Sequence, residues 1–170
     1  MAKKIKYKKT RGRESFGDLS KVRWKLFIAC LIIVFVVAGI GSAYTQIDSW
    51  YESVKPSITP PNWVFPVVWN ILFFLIAISF YISWTNEKKS KIGLIFAFGI
   101  NLSLNVLWSF LFFSMQNPTL AFYELIILWI SIASMLFVTY KIKKIASYLL
   151  LPYFFWASFA AVLNYLIAFG

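Results

Sequence analysis

The sequence predicts an all-α integral membrane protein, a bundle of five transmembrane helices. Three observations carry that expectation. Of the 170 residues, 61% are hydrophobic and 21% aromatic against 14% charged, where soluble domains average roughly half apolar and a quarter charged. Five apolar segments of spanning length recur along the chain. The basic residues, finally, collect on alternate connections between those segments.

The segments fall at about 24–43, 64–84, 92–114, 119–140 and 146–169. Each approaches the roughly 20 residues that cross a hydrocarbon core at about 1.5 Å rise per residue. Lipid offers backbone N–H and C=O groups no partner, so segments of this length must be helices packed together. The Val/Ile/Phe runs are too long for membrane strands, which need only about 9–11 residues.

The first segment follows a tail, residues 1–22, rich in Lys and carrying Gly12 and Gly17. It lacks the apolar content to fold alone, so a disordered cytoplasmic tail held near anionic headgroups is expected, ahead of a five-helix domain over residues 23–170. The basic stretch, the apolar run Leu26 to Ile40 and the small residues Gly41, Ser42 and Ala43 also fit a secretory signal. The basic region is long for one, and the first segment is read as a permanent span.

Between the first two spans lies the longest connection, Tyr44 to Trp63. Pro56, Pro60 and Pro61 fix φ and push the residues before them toward extended backbone, which predicts a stiff, ordered cover. Trp50, Tyr51 and Trp63 give it an amphipathic underside, equally suited to an interfacial aromatic belt. On the second span Trp69, Phe73, Phe80 and Trp84 share one stripe. On the third, Asn101, Asn105, Trp108 and Phe112 do the same. Amides at membrane depth are disfavoured against lipid, so Asn101 and Asn105 should face the bundle interior.

The fourth span opens at Asn117-Pro118-Thr119, with Glu124 about one turn in. There a carboxylate is favoured by the helix dipole and is expected to lie near enough the surface to stay hydrated, a structural role. The fifth carries Trp156, Ala160 and Asn164 at i, i+4 and i+8 beside Ala157, Ser158 and Ala161. Small residues beside an indole suit close helix packing or a slot for a flat ligand.

Charge sets the expected orientation. Sixteen of the 17 basic residues fall on one side: ten in the tail and first flank, then Lys88, Lys89 and Lys91, then Lys141, Lys143 and Lys144. Lys55 alone falls on the other. Lys and Arg near span ends favour the cytoplasm, which places the N-terminus inside and the C-terminus outside.

Composition also excludes chemistry. The net charge of +11 sits largely in the tail, so no nucleic-acid partner is expected. One cysteine, Cys30, and no histidine leave no metal site and no histidine-ligated haem. No carboxylate pair, no nucleophile beside a base and no Gly-rich phosphate loop appears, which argues against hydrolysis and phosphoryl transfer.

Three ordered motifs then carry a resemblance. Trp50-Tyr51, Lys55-Pro56-Ser57 and the run Pro60 to Trp69 resemble the loop and second helix of the TspO/MBR family of tryptophan-rich sensory and translocator proteins. Asn101, Asn105, Leu107-Trp108-Ser109 and Phe112-Phe113 resemble its third helix. Leu151-Pro152-Tyr153, Trp156, Ser158-Phe159-Ala160 and Leu163-Asn164 resemble its fifth. The similarity covers about residues 24–169.

That resemblance implies a membrane receptor or sensor for tetrapyrroles such as protoporphyrin IX or haem and related hydrophobic ligands. It implies no required cofactor, and a homodimer in the membrane lipid. The implied ligand-binding residues are Tyr51, Pro60, Trp69, Phe73, Asn101, Asn105, Trp108, Trp156 and Ala160. Flat aromatic ligands can stack between indoles while amides orient a polar edge, and Lys55 is placed to meet a ligand carboxylate at the mouth. The alternatives are a transporter of porphyrins or lipid-like substrates, and light-dependent porphyrin degradation with Trp69 and Trp156 as redox partners. A prokaryotic cell membrane is the expected address, with the mitochondrial outer membrane implied by eukaryotic relatives. This chain departs from the family at Ala161-Val162, where many relatives have a polar-aromatic pair, and it has no basic residue after Tyr165 to complete the proposed sterol pattern.

Overall fold

The computed structural model describes residues 22–170; the expected disordered tail lies outside the described residues apart from Val22. Among the described residues there are seven α-helices, six of which, with one π-helical turn, build five spans. The first is α1, Trp24–Tyr44. The connection after it carries a short helix, α2, Ser49–Val54, and α3, Val64–Asn86, is the second span. The third is α4, Ile92–Ser109, prolonged by a π-helical turn, Phe110–Ser114. The fourth is α5, Pro118–Ile142. The fifth is broken into α6, Lys144–Tyr148, and α7, Leu151–Phe169.

Local chemistry sets these boundaries. Asp48 caps α2, its carboxylate accepting from the Tyr51 N–H at 3.0 Å, and Asn117 caps α5 by accepting from Leu120 N–H at 3.0 Å, with Pro118 next in line. Before that cap the π turn closes with Asn117 N–H bonded back to the Leu111 carbonyl at 3.1 Å. Gln116 takes the left-handed conformation, φ 47°, that such a helix end requires. The fifth span, expected as one helix from about residue 146, instead turns at Leu149 and Leu150. Pro152 then sits in the first turn of α7, where its missing N–H costs nothing.

The spans run antiparallel in sequence and close into a ring. α4 packs on α5, α5 on α7, and α1 on both α3 and α4. The α3–α7 side is joined through rings: Phe65 meets Trp156 edge-on at 5.8 Å and Trp69 meets Tyr153 at 6.1 Å. At one end lie Arg23, Lys25, Lys88, Lys89, Lys91, Lys141, Lys143 and Lys144, the basic end; α2 and the prolines lie at the other, the loop end. The basic half is solid. Ile76, Ala77, Leu94, Phe98, Ile132 and Met135 are all buried there, and the Ser79 hydroxyl donates to the Ala146 carbonyl at 2.8 Å, pinning α6 to α3. Lysines at this end lie over rings, Lys91 over Trp84 at 4.5 Å and Lys141 over Phe137 at 3.9 Å, as long cationic chains do where apolar and wet regions meet.

Candidate functional site

The loop half is hollow. A cavity of about 420 Å³ occupies it, within the range of roughly 300–1,000 Å³ in which proteins hold small molecules. Its roof is the first connection, through Ile47, Tyr51 and Thr59. Phe65, Trp69 and Phe73 form the α3 wall, Asn105, Trp108 and Phe112 the wall from the third span, and Ala160, Leu163 and Asn164 the α7 wall. α1 supplies mostly small side chains, among them Ala38, Gly39, Gly41 and Ser42.

The rings are positioned by one another. Trp69 stacks on Phe73 at 5.5 Å and 29°, and Trp108 on Phe112 at 5.1 Å and 22°, offset arrangements favoured by ring quadrupoles. The π turn brings Phe112 and Phe113 in succession beneath α2, where Tyr51 meets them at 6.4 and 5.7 Å. One extra residue in a helical turn shifts the register of the side chains beyond it, which is how two neighbouring phenylalanines both reach the roof.

Behind the rings runs a polar ladder. Asn101 is fully buried; it donates to the Ser131 hydroxyl at 2.8 Å and accepts from the Tyr153 hydroxyl at 3.3 Å. Asn105 donates to that same Tyr153 oxygen at 3.0 Å. Asn164 accepts from the Trp108 indole N–H at 3.1 Å and donates to the Pro118 carbonyl at 2.7 Å. These bonds tie α4 to α5 and α7 and fix the orientation of Trp108. In α7, Ser158 performs a similar task outside the cavity, accepting from the Trp129 indole at 2.9 Å.

The roof is clasped by polar contacts. Glu52 binds Lys55 at 2.5 Å and accepts from Asn62 at 2.6 Å, and Asp48 accepts from Gln116 at 3.3 Å across to the start of α5. The Lys55 ammonium, and after it the Asn62 amide, hold the Glu52 carboxyl below its ordinary value. Burial, and after it the Glu52 charge, push the Tyr51 phenol up. Thr59 lines the cavity with a buried hydroxyl that has no partner among the described residues.

Of the residues expected at a site, Tyr51, Trp69, Phe73, Asn105, Trp108 and Ala160 stand on this cavity. Pro60, Asn101 and Trp156 do not. Pro60 is half-buried in the roof, Asn101 is consumed by Ser131 and Tyr153, and Trp156 lies behind Phe65 with its indole nitrogen buried and unpartnered among the described residues. Lys55 is engaged by Glu52 and is not at the lining. Glu124, expected to stay hydrated, is only 6% exposed, and neither carboxyl oxygen has a partner among the described residues. A helical side chain leans back over the preceding turn, and on α5 this one shares the inward face with Ala121, Leu125 and Leu128.

Phe65, Leu163 and the small residues of α1 also line it without having been expected there, as does Asn164, which shares the expected slot stripe of the fifth span but was not among the implied ligand-binding residues. Asn164, one turn beyond Ala160, was the readable one; the α1 residues carry only a pattern of small size, which the sequence offers equally to a signal segment. No three His, Cys, Asp or Glu side chains converge among the described residues. What the lining offers is ring faces, amides and hydroxyls.

A five-span bundle of apolar helices with a roofed, ring-lined hollow in one half is the architecture of an integral membrane protein. The TspO/MBR family model matches residues 27–169, and the chain belongs to that family. Among its relatives, a tryptophan-rich protein TspO from Archaeoglobus fulgidus is 40% identical over 143 residues, covering 82% of this chain and 93% of that protein. The tryptophan-rich sensory protein of Cereibacter sphaeroides is 31% identical over 144 residues, 84% of this chain and 89% of its own length. The human translocator protein is 30% identical over 135 residues, 74% and 78% respectively.

Two outcomes follow from this geometry. Tyr153→Phe deletes the hydroxyl shared by Asn101 and Asn105 and is expected to cost about 1 kcal/mol, the usual scale of interhelical bonds in membranes, read as a lowered unfolding midpoint in micelles. For the roof, the depressed Glu52 carboxyl makes the clasp fully present above the ordinary carboxylate range and lost as pH falls through the folded value. A spin label at Ser57→Cys in a Cys30→Ser background should therefore gain mobility on acidification, and Glu52→Gln should be mobile at every pH.

Proposed function

We propose that the cavity is the receptor site of a membrane sensor, binding flat, weakly polar aromatic molecules of the tetrapyrrole class, protoporphyrin IX or haem, with occupancy read out through the roof. The observation that carries this reading is the pair of stacked ring systems, Trp69 on Phe73 and Trp108 on Phe112, both lining one 420 Å³ hollow together with the Asn105 and Asn164 amides. Ring faces take a flat ligand by stacking, and the amides and the Thr59 hydroxyl serve its polar rim. Because Tyr51 touches both the hollow and the phenylalanines of the π turn, a ligand that displaces it alters the clasped roof, the surface a partner would read. The roof lies at the end away from the lysines, so in this reading it faces outside and the N-terminus lies in the cytoplasm.

Titration with protoporphyrin IX, followed by quenching of tryptophan fluorescence, tests the site. Saturable quenching is expected, weakened about tenfold by Trp69→Ala and by Trp108→Ala, the equivalent of about 1.4 kcal/mol each. Trp156→Phe should leave the affinity within about twofold, since that ring is off the lining. Absent or non-saturable quenching, or equal effects from all three, removes the stacked site. Orientation is tested separately: a membrane-impermeant thiol reagent added outside intact cells should label Ser57→Cys in a Cys30→Ser background, and failure there with labelling in inverted vesicles reverses the topology.

A further inference from the structure

The wall of the cavity is incomplete on one side. Phe35, Gly39 and Ser42 recur at i, i+4 and i+7 along α1; all three line the hollow and all three are exposed. Pro66 and Asn70, one turn apart on α3, do the same. The two helices run antiparallel: at the basic end the Arg23 N–H donates to the Tyr81 hydroxyl at 3.0 Å, so residues 35–42 of α1 and 66–70 of α3 share the loop half. The edge of the gap, Phe35 to Ser42, is about 10 Å long, and Asn70 lies about 9 Å below the start of α3, which puts the gap within the span and not above it.

The glycines show why the seam stands open. A Cβ on Gly41 would lie 3.8 Å from Ser109 Oγ and from Val106, so this face of α1 is in ordinary contact with α4. A Cβ on Gly39 would meet nothing within 4 Å. α1 is therefore seated against α4 at Gly41, and while it also packs on α3 along its length, its face at Gly39 is bare. The roof is clasped, with Tyr51 on Phe112 and Phe113, Asp48 bonded to Gln116 and Glu52 to Asn62, though Thr45 and Ile47 line the hollow and are exposed there. Asn70 adds an amide to the gap's edge, its nitrogen donating to the Pro66 carbonyl at 2.8 Å; an exposed amide within a span is costly against plain hydrocarbon.

We infer that the α1–α3 seam is a lateral portal, through which molecules dissolved in the loop-side leaflet enter and leave the cavity without crossing the roof, with Gly39 as its gate. The ligand class is thereby narrowed to molecules that partition into lipid: an apolar plate or chain that slides past Gly39 while a polar edge meets Asn70. This rests on the cavity being a ligand site, but the portal can be tested without any particular ligand.

The experiment uses the full chain in liposomes with Cys30→Ser and Ala160→Cys, which puts one thiol on the cavity wall. N-dodecylmaleimide dissolved in the bilayer should alkylate it. Gly39→Phe and, as a second variant in case that one folds poorly, Ser42→Phe should each slow alkylation about tenfold or more, whereas Gln46→Trp, in the first connection but off the lining, should leave it within about twofold. Slowing by Gln46→Trp with none from the seam variants overturns the portal. In a second arm, protoporphyrin IX is delivered from donor vesicles. Association and dissociation should slow together by about tenfold in Gly39→Phe with the equilibrium affinity held within about threefold, and a loss of affinity at unchanged association rate overturns the gate. If protoporphyrin IX fails to bind the unmodified cavity at all, the tetrapyrrole reading falls while the maleimide arm still decides the portal.

Discussion

Inside a bilayer a polar side chain has no water to fall back on, and in this bundle the amides of α4 and α7 are satisfied only by one another's neighbours. Asn101 and Asn105 converge on the Tyr153 hydroxyl, and Asn164 bridges Trp108 to the Pro118 carbonyl. Each such bond is worth little by itself in a membrane. Together they define which rotation of α4, α5 and α7 is possible, because turning any one of the three about its axis would leave several buried amide groups unpaired. The rest of the architecture is arranged around that rigid trio: α1 leans on α4, and α3 reaches α7 through the rings of Phe65 and Trp69.

This division explains why one half of the molecule is solid and the other hollow. Toward the basic end, aliphatic side chains and the Ser79–Ala146 bond fill the space between α3 and the other helices. Toward the loop end, α1 offers Ala38, Gly39, Gly41 and Ser42, while the α3 rings turn to one another, Trp69 on Phe73, and to α7, and not to α1. Small residues on one wall and self-stacked rings on another leave a volume nothing fills. The roof, stiffened by proline and clasped through Glu52 and Asp48, keeps that volume from collapsing from above. Glu124 stands apart from this logic, a buried carboxyl with no partner among the described residues, and nothing in the packing around it explains its presence.

How far the site could be read in advance depended on the kind of signal. That Asn101 and Asn105 face inward follows from their helical spacing and the cost of an amide in lipid, and both are buried. That one of them lines the hollow and the other stands behind it does not follow, since spacing gives a face of the helix and not the depth to which a neighbour intrudes. Trp156 and Ala160 illustrate the same limit: one turn apart on α7, they share a stripe, yet Phe65 stands before Trp156 and nothing stands before Ala160. The expected hydration of Glu124 failed because distance from the helix start was taken as distance from water.

What the sequence determined by itself was the number of spans, their approximate ends, the charged end and the proline-restricted backbone of the first connection. Each is a response to solvent that every residue makes locally: backbone in lipid must be helical, lysine seeks the interface, and proline restricts its own φ whatever lies nearby. What only the tertiary structure decided was which rings stand on the cavity, which amides pair, and where the wall is left open. Those are outcomes of packing between segments distant in the chain, such as the contact of α1 at Gly41 with Val106 that leaves Gly39 bare, and no pattern within a single helix encodes them.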